Sequence, residues 1–491
     1  MNPDEILRRE REYTDHVIGD NTLPELFEAS VQRYDDLTAQ RYKAGVFDRT
    51  MTPNVLPSGP EGEFLEVSYE RMGEIVRGLS YGFRELGVEK QDRVGIFANT
   101  RMEWAHTDFA LLGIGAIITT VYTESSPDQA RYLLDNSGSC GVIVEDQKLL
   151  DRILEVEDQL DLDFIVMIDD VDDKHYDRDD IYSLADVYEL GVEENDPDQP
   201  EDWIDDSLEL DDLASLVYTS GTTARPKGVM LSHGNFRSSI NQIRKRCAPR
   251  PDKGPDDPSI REGLKTLSFL PLAHVYERFG GHFVMFASGA NVAYAEDPDT
   301  LKEDLPKVKP NMITSVPRVY ERLFDGIREK ASGSFISKSI FNWATSVGEQ
   351  YARSESPGPL LKMKHWVADK LLFQKILDAF GGELDVRDLA VELVGHVVDA
   401  GLVLVTAVGE LADDDRLHAE ALVHHLDRVT ERDGRGEVDE PPLRDHVQDA
   451  AVGHLEPLDA VADLVAVDGE VVEVIEVDLH VEVAGVGEQH A

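Results

Sequence analysis

The residues with the sharpest chemical potential form one string, Tyr218-Thr219-Ser220-Gly221-Thr222-Thr223-Ala224-Arg225-Pro226-Lys227-Gly228-Val229. It follows an apolar run, Leu213 to Val217, and packs hydroxyls, glycines and one lysine into a single turn. A polyphosphate cradle needs that mixture. Glycine lets the backbone approach closely, N–H groups and Ser/Thr hydroxyls donate to phosphate oxygens, and lysine adds a mobile positive charge. The string is not a Walker A loop, because Gly228 rather than Ser or Thr follows Lys227 and the glycine spacing differs. A generic loop of this composition would read as a polar hairpin turn with a surface lysine.

Three further stretches mix polar and apolar residues. They are Leu267-Ser268-Phe269-Leu270-Pro271-Leu272-Ala273-His274-Val275-Tyr276-Glu277-Arg278, then Ser315-Val316-Pro317-Arg318-Val319-Tyr320-Glu321, and Thr123-Glu124-Ser125-Ser126-Pro127-Asp128-Gln129 with Tyr132 and Leu133. Taken singly, each is compatible with ordinary packing: His274 with a hydrogen-bonded core or rim residue, Arg318 with a partner for Glu321. No zinc-type or EF-hand ligand spacing occurs. Cys140 and Cys247 are the only cysteines, which argues against a disulfide framework and a cysteine-based zinc site.

The elements that must position these residues alternate along the chain. Arg93 to Ala98 reads as a buried strand, Met102 to Gly113 as a helix and Ala116 to Tyr122 as a β-branched strand. Ser126-Pro127 opens a helix through Leu134, with proline suited to the first turn. Gly141 to Val144 and Phe164 to Ile168 complete the series, which predicts an α/β fold with a mostly parallel sheet covered by helices. Asp169 to Asp212, rich in Asp and Glu, reads as an excursion or surface connection. Strands are expected again near Leu213–Tyr218, Thr266–Leu270, Ala290–Tyr294 and Met312–Val316, and Ser334 to about Lys370 as largely helical.

Over 491 residues the formal charge is −49. Nucleic acid is a poor partner for such a surface, since phosphate binding needs clustered Lys and Arg. Excess acid spread over the whole body fits adaptation to high salt, where screening shortens self-repulsion to a few ångströms. The same charge argues against holding anionic lipid through basic patches. No apolar window reaches the length of a membrane span, and the polar, arginine-rich start lacks a signal-peptide pattern. The expectation is a cytoplasmic protein, with peripheral membrane contact left open.

The twelve-residue string resembles the phosphate-loop signature of the adenylate-forming superfamily, with Ala224 where that family usually has Gly. The other three stretches, in the same order, resemble elements of its AMP-forming long-chain fatty-acid–CoA ligases. The resemblance covers about residues 20 to 385, a large adenylate-forming N-terminal domain. It implies ATP, Mg²⁺ and coenzyme A, with a fatty acid activated as acyl-AMP and passed to the thiol of CoA. It also implies that Thr219, Ser220, Gly221, Thr222, Thr223 and Lys227 hold the β- and γ-phosphates, and that His274 lies near the carboxylate and adenylate. No protein partner and no resident metal ligands are expected. The alternatives are another adenylate-forming enzyme, or a non-catalytic nucleotide- or acyl-binding protein.

The resemblance is C-terminally incomplete. From 386 to 491 there is no Lys, Phe, Tyr, Trp, Ser, Asn, Met or Cys. Val, Ala, Asp, Glu and Gly dominate, and all five have codons beginning with G. An enzyme domain normally uses aromatics inside and Lys outside. We therefore expect 1–385 to be a partial AMP-binding domain. The stretch 386–491 is expected to be an anomalous acidic tail read from a shifted frame, the alternative being an acidic accessory domain with strands near Val461–Val486. The family's Gly-Tyr-Gly-x-Thr-Glu element, its Thr-Gly-Asp element and its late lysine are not in this sequence, so little or no ligase activity is expected of the chain as written.

Overall fold

The computed structural model describes residues 19–194, 202–219, 225–247, 259–316, 335–354, 357–384, 462–467 and 470–475, with Val319, Gly326 and Arg328. The chain divides into two compact units, 1–403 and 404–491. In the first, the strands are β1 (Thr38–Lys43), β2 (Phe64–Ser68), β3 (Arg93–Phe97), β4 (Ile117–Val121), β5 (Ser139–Val144) and β6 (Phe164–Met167). They continue with β7 (Ile181–Ser183), β8 (Leu213–Thr219), β9 (Lys227–Ser232), β10 (Lys265–Ser268) and β11 (Asn291–Tyr294). The second unit contributes one antiparallel hairpin, β12 (Ala462–Val467) with β13 (Glu470–Ile475). The rest of the tail lies outside the described residues.

A seven-stranded sheet runs β7-β6-β5-β3-β4-β8-β9, parallel except for the antiparallel β8–β9 pair. All of β4 and β6 is buried, as expected of strands covered on both faces. The chain steps from β3 to β4 on one side and crosses back to β5 on the other, so β3 is where the winding reverses. The intervening helix, Pro127–Ser137, is closed by its own sequence. Ser126 Oγ accepts from Gln129 N, Gln129 Oε1 accepts from Ser126 N, Pro127 occupies the first turn and Gly138 ends the helix at φ +68°. A second sheet, β10-β11-β1-β2, pairs distant parts of the chain, with β1–β2 antiparallel and the other pairs parallel.

The acidic stretch 169–212 departs from its expected role as a surface connection. It supplies β7, which extends the main sheet, and the helix Leu184–Glu194, which packs on the helix Tyr69–Glu85. Gly82 and Gly191 make that approach: a Cβ on Gly82 would sit 1.8 Å from Val187 O, and one on Gly191 2.0 Å from Gly78 O. Leu184, Val187 and Trp203 are buried in the core despite the acids around them. Met312 forms only an isolated bridge to Thr266, so the strand expected over Met312–Val316 does not extend. The helical expectation beyond Ser334 holds, with helices Phe335–Ala352, Pro359–Ala368 and Gln374–Ala379. No helix among the described residues is long and apolar enough to cross a membrane.

Candidate functional site

The two ends of the Tyr218–Val229 string lie on the antiparallel strands β8 and β9, at the edge of the main sheet. Their register pairs Tyr218 with Gly228 and Thr219 with Lys227, so the last residue of β8 and the first of β9 face each other across the loop mouth. Lys227 is exposed. Ser220, Gly221, Thr222, Thr223 and Ala224 lie outside the described residues. Both flanks are clamped by the Pro127–Ser137 helix. Tyr132 Oη donates to Pro226 O at 3.0 Å, Arg225 lies over the Tyr132 ring at 5.5 Å, and Tyr218 Oη donates to Asn136 Oδ1 at 2.9 Å. A Cβ on Gly228 would come within 3.1 Å of the Tyr218 ring, a tight contact. The helix that the Thr123–Gln129 passage opens therefore anchors both flanks, through Tyr132 and Asn136.

The second segment leaves β10 and is pinned beside the end of β3. Thr100 Oγ1 donates to Leu270 O at 2.5 Å and accepts from Leu272 N at 2.8 Å. His274 is half-buried and caps a short helix, its Nδ1 accepting from Tyr276 N at 3.1 Å. A neutral imidazole whose Nδ1 accepts carries its proton on Nε2. Tyr276 Oη donates to Ser315 O at 3.4 Å, which brings the start of the Ser315–Glu321 string alongside. Pro317, Arg318, Tyr320 and Glu321 lie outside the described residues.

Two charged residues of this segment do more than the sequence suggested. Arg278 is fully buried and grips Asp108 through Nε at 3.0 Å and Nη2 at 2.5 Å, while its Nη1 donates to Ser215 Oγ on β8 at 2.5 Å. His282 Nε2 lies 3.2 Å from the same carboxylate. Burial pushes Asp108 up, but Arg278 and His282 outweigh it and hold the carboxyl below its usual range. One ion pair thus joins the His274 segment, the buried helix Met102–Ile114 and the strand that ends in Thr219. Thr219 and Lys227 meet directly across the hairpin, whereas His274 is tied to them through Arg278 and β8. Asp108 was not singled out in the sequence; the signal was an Asp set directly before the apolar run Phe109-Ala110-Leu111-Leu112. Glu277 is the second charged residue of the segment. Its Oε1 accepts from Ser268 Oγ at 2.6 Å, its Oε2 has no hydrogen-bond partner, and burial pushes its carboxyl up to about 8.

The reversal of winding at β3 has a different character. Arg101 bridges Asp169, Glu103 and Glu145 at the carboxyl ends of β3, β5 and β6, and Arg49 joins Glu103 at 3.1 Å. A cleft of about 700 Å³ opens beside it, lined by Phe47, Arg49 and Gln147 but also by Asp48, Asp170 and Asp172. Ligands of open α/β sheets often bind at such a reversal, yet three carboxylates would repel a polyphosphate. Among the described residues no group of three or more His, Cys, Asp or Glu could hold a metal ion.

Residues 27–358 match the family described as AMP-binding enzyme. The chain is similar to the long-chain-fatty-acid–CoA ligase ACSBG2 of Xenopus laevis, 30% identical over 371 residues, covering 73% of this chain and 46% of that protein. It is likewise similar to the long-chain-fatty-acid–CoA ligase FadD15 of Mycobacterium tuberculosis, 31% identical over 326 residues, covering 66% of this chain and 51% of the relative. The chain thus spans about half the length of the curated relatives it matches. In fold it is similar to the crystal structure of a long-chain-fatty-acid–CoA ligase, FadD1 of Archaeoglobus fulgidus, with a TM-score of 0.51 at 19% identity, over 64% of this chain and 55% of that one.

Proposed function

Because this chain belongs to the AMP-binding enzyme family, we propose that its β8–β9 hairpin holds the phosphates of ATP for activation of a long-chain fatty acid. The observation that carries the reading is the hairpin register. It sets Thr219 against Lys227 at the mouth of a Ser/Thr/Gly loop whose flanks are braced by Tyr132 and Tyr218. Lys227 supplies charge to the β- and γ-phosphates, and the loop hydroxyls and N–H groups of residues 219–223 donate to their oxygens. In the reaction a carboxylate oxygen attacks the α-phosphorus, the bond to the bridging oxygen of the β-phosphate breaks, and pyrophosphate leaves with acyl-AMP retained. His274, with its proton on Nε2, is suited to donate to the incoming carboxylate or the phosphoryl oxygens. Coenzyme A thiol would then displace AMP from the mixed anhydride.

Mg²⁺ neutralises developing charge on the phosphates when it is bound. The described side chains offer it no carboxylate cluster, so it would enter with the nucleotide. The sequence has no Tyr after Tyr351 and no Lys after Lys375. We therefore assign the 491 residues alone the binding of ATP and acyl carboxylate, with turnover orders of magnitude below that of a ligase that has a late metal carboxylate and a late lysine. Palmitate-dependent exchange of pyrophosphate into ATP tests this. The reading expects ATP binding with exchange near background; exchange at ordinary enzymic rates would overturn the assignment of low turnover. Exchange driven by an aromatic or amino acid, and not by palmitate, would overturn the choice of substrate.

A further inference from the structure

Just past the carboxyl end of β6, the segment Asp48-Arg49-Thr50 runs antiparallel to Ile168-Asp169-Asp170. Thr50 N donates to Ile168 O at 3.0 Å, Asp170 N donates to Asp48 O at 2.7 Å, and Arg49 and Asp169 form an isolated bridge between them. These bonds hold two exposed carboxylates, Asp48 and Asp170, on the rim of the cleft of about 700 Å³. A cleft of that volume is in the range that takes small organic ligands.

Arg49 stands in the wall of the cleft with only 5% of its side chain exposed. Its Nε lies 3.1 Å from a Glu103 oxygen, and its guanidinium lies over the rings of Tyr42 and Phe47. Nη1, however, has no hydrogen-bond partner among the described residues, and Thr52 Oγ1, also in the wall, has none either. Buried donors are normally paired. These two point to an acceptor from outside the chain, and a carboxylate matches a guanidinium N–H best. The rim calls for the opposite charge. Lys174 pairs with Asp172 at 3.0 Å, whereas Asp48 and Asp170 form no ion pair among the described residues. A bare metal ion does not fit, since no group of three or more His, Cys, Asp or Glu among those residues could hold one. A simple anion would meet the carboxylates, and a polyamine would leave Arg49 and Thr52 unpaired. We propose that this cleft binds a basic amino acid, its carboxylate on Arg49 Nη1 and Thr52 Oγ1 and its cationic groups at Asp48 and Asp170. The proposal does not depend on the assignment of the phosphate loop.

Calorimetric titration of L-arginine into the full chain tests it, at high salt so that general attraction to the acidic surface is screened. Saturable binding at a single site is expected. Agmatine lacks the carboxylate and Nα-acetyl-arginine lacks the α-ammonium, so each should bind about tenfold more weakly or worse. Asp48→Asn, at an exposed position, should weaken L-arginine by about tenfold. Thr52→Val should do the same for L-arginine and leave agmatine unchanged, a contrast that a folding defect would not produce. Agmatine binding as tightly as L-arginine would overturn the proposal in favour of a merely acidic surface. No saturable binding, or an affinity indifferent to both substitutions, would overturn it outright. Binding of Mg²⁺ that Asp48→Asn abolishes, with none of L-arginine, would overturn it in favour of a metal site.

Discussion

Replacing Arg278 with Met should unfold this protein more easily than almost any other single substitution near the site. The side chains of Arg278 and Asp108 are both fully buried, and the pair is bidentate. Arg278→Met keeps most of the volume but removes both contacts to Asp108 and the one to Ser215, leaving the carboxylate with His282 alone. Breaking a buried pair from one side costs about 3–5 kcal/mol, because the remaining charge stays desolvated. That is a large share of a total stability of about 5–15 kcal/mol. Urea unfolding followed by circular dichroism, at a salt concentration where the chain is folded, measures the loss. With a slope of about 3 kcal/mol per molar urea, the midpoint should fall by about 1 M or more. Asp108→Leu added to Arg278→Met should restore much of it, since no lone charge then remains. A loss below about 1 kcal/mol for Arg278→Met, or no recovery in the double variant, would refute the claim that this pair ties the His274 segment to β8.

Two further substitutions test the core around the site. Glu277 has a folded value of about 8 against an ordinary 4.5, so the native state keeps a proton that the unfolded chain releases between those values. Its contribution to stability therefore falls as pH rises from about 4.5 to 8; Glu277→Gln should flatten that part of the stability profile, and an unchanged slope would place the titration elsewhere. Trp203→Ala should cost about 3–5 kcal/mol, because the ring is wholly buried and its Nε1 donates to Glu28 at 3.0 Å. A loss under 1 kcal/mol in a urea titration would mean that the acidic stretch carries little of the core.

The parallel sheet was legible because β-branched runs of four to six residues recur between helical stretches, and buried parallel strands leave that trace. The Tyr218–Val229 string stood out because hydroxyls, glycines and a lysine following an apolar strand have few structural uses, but the antiparallel pairing of β8 with β9 around it is what a generic loop would have given and was not expected. Acidic composition hid β7 and the helix Leu184–Glu194, whose few apolar residues, Leu184, Val187 and later Trp203, nonetheless reach the core. β1 and β2 escaped notice because β1 pairs with β11, some 250 residues away, and such register is a tertiary property. The same holds for Asp108 and Arg278, 170 positions apart. Neither residue alone marks a buried pair.

The β8–β9 hairpin is the proposed phosphate site, and calorimetric titration of Mg·ATP into the chain and its Lys227→Ala variant tests that most directly. Lys227 is exposed and starts an edge strand, so its removal should leave the fold intact. A charge-assisted hydrogen bond is worth about 1.5–3 kcal/mol, so the variant should bind about ten- to a hundredfold more weakly than the parent. Equal affinity in the two chains, or no saturable binding to the parent, would contradict the assignment of the loop.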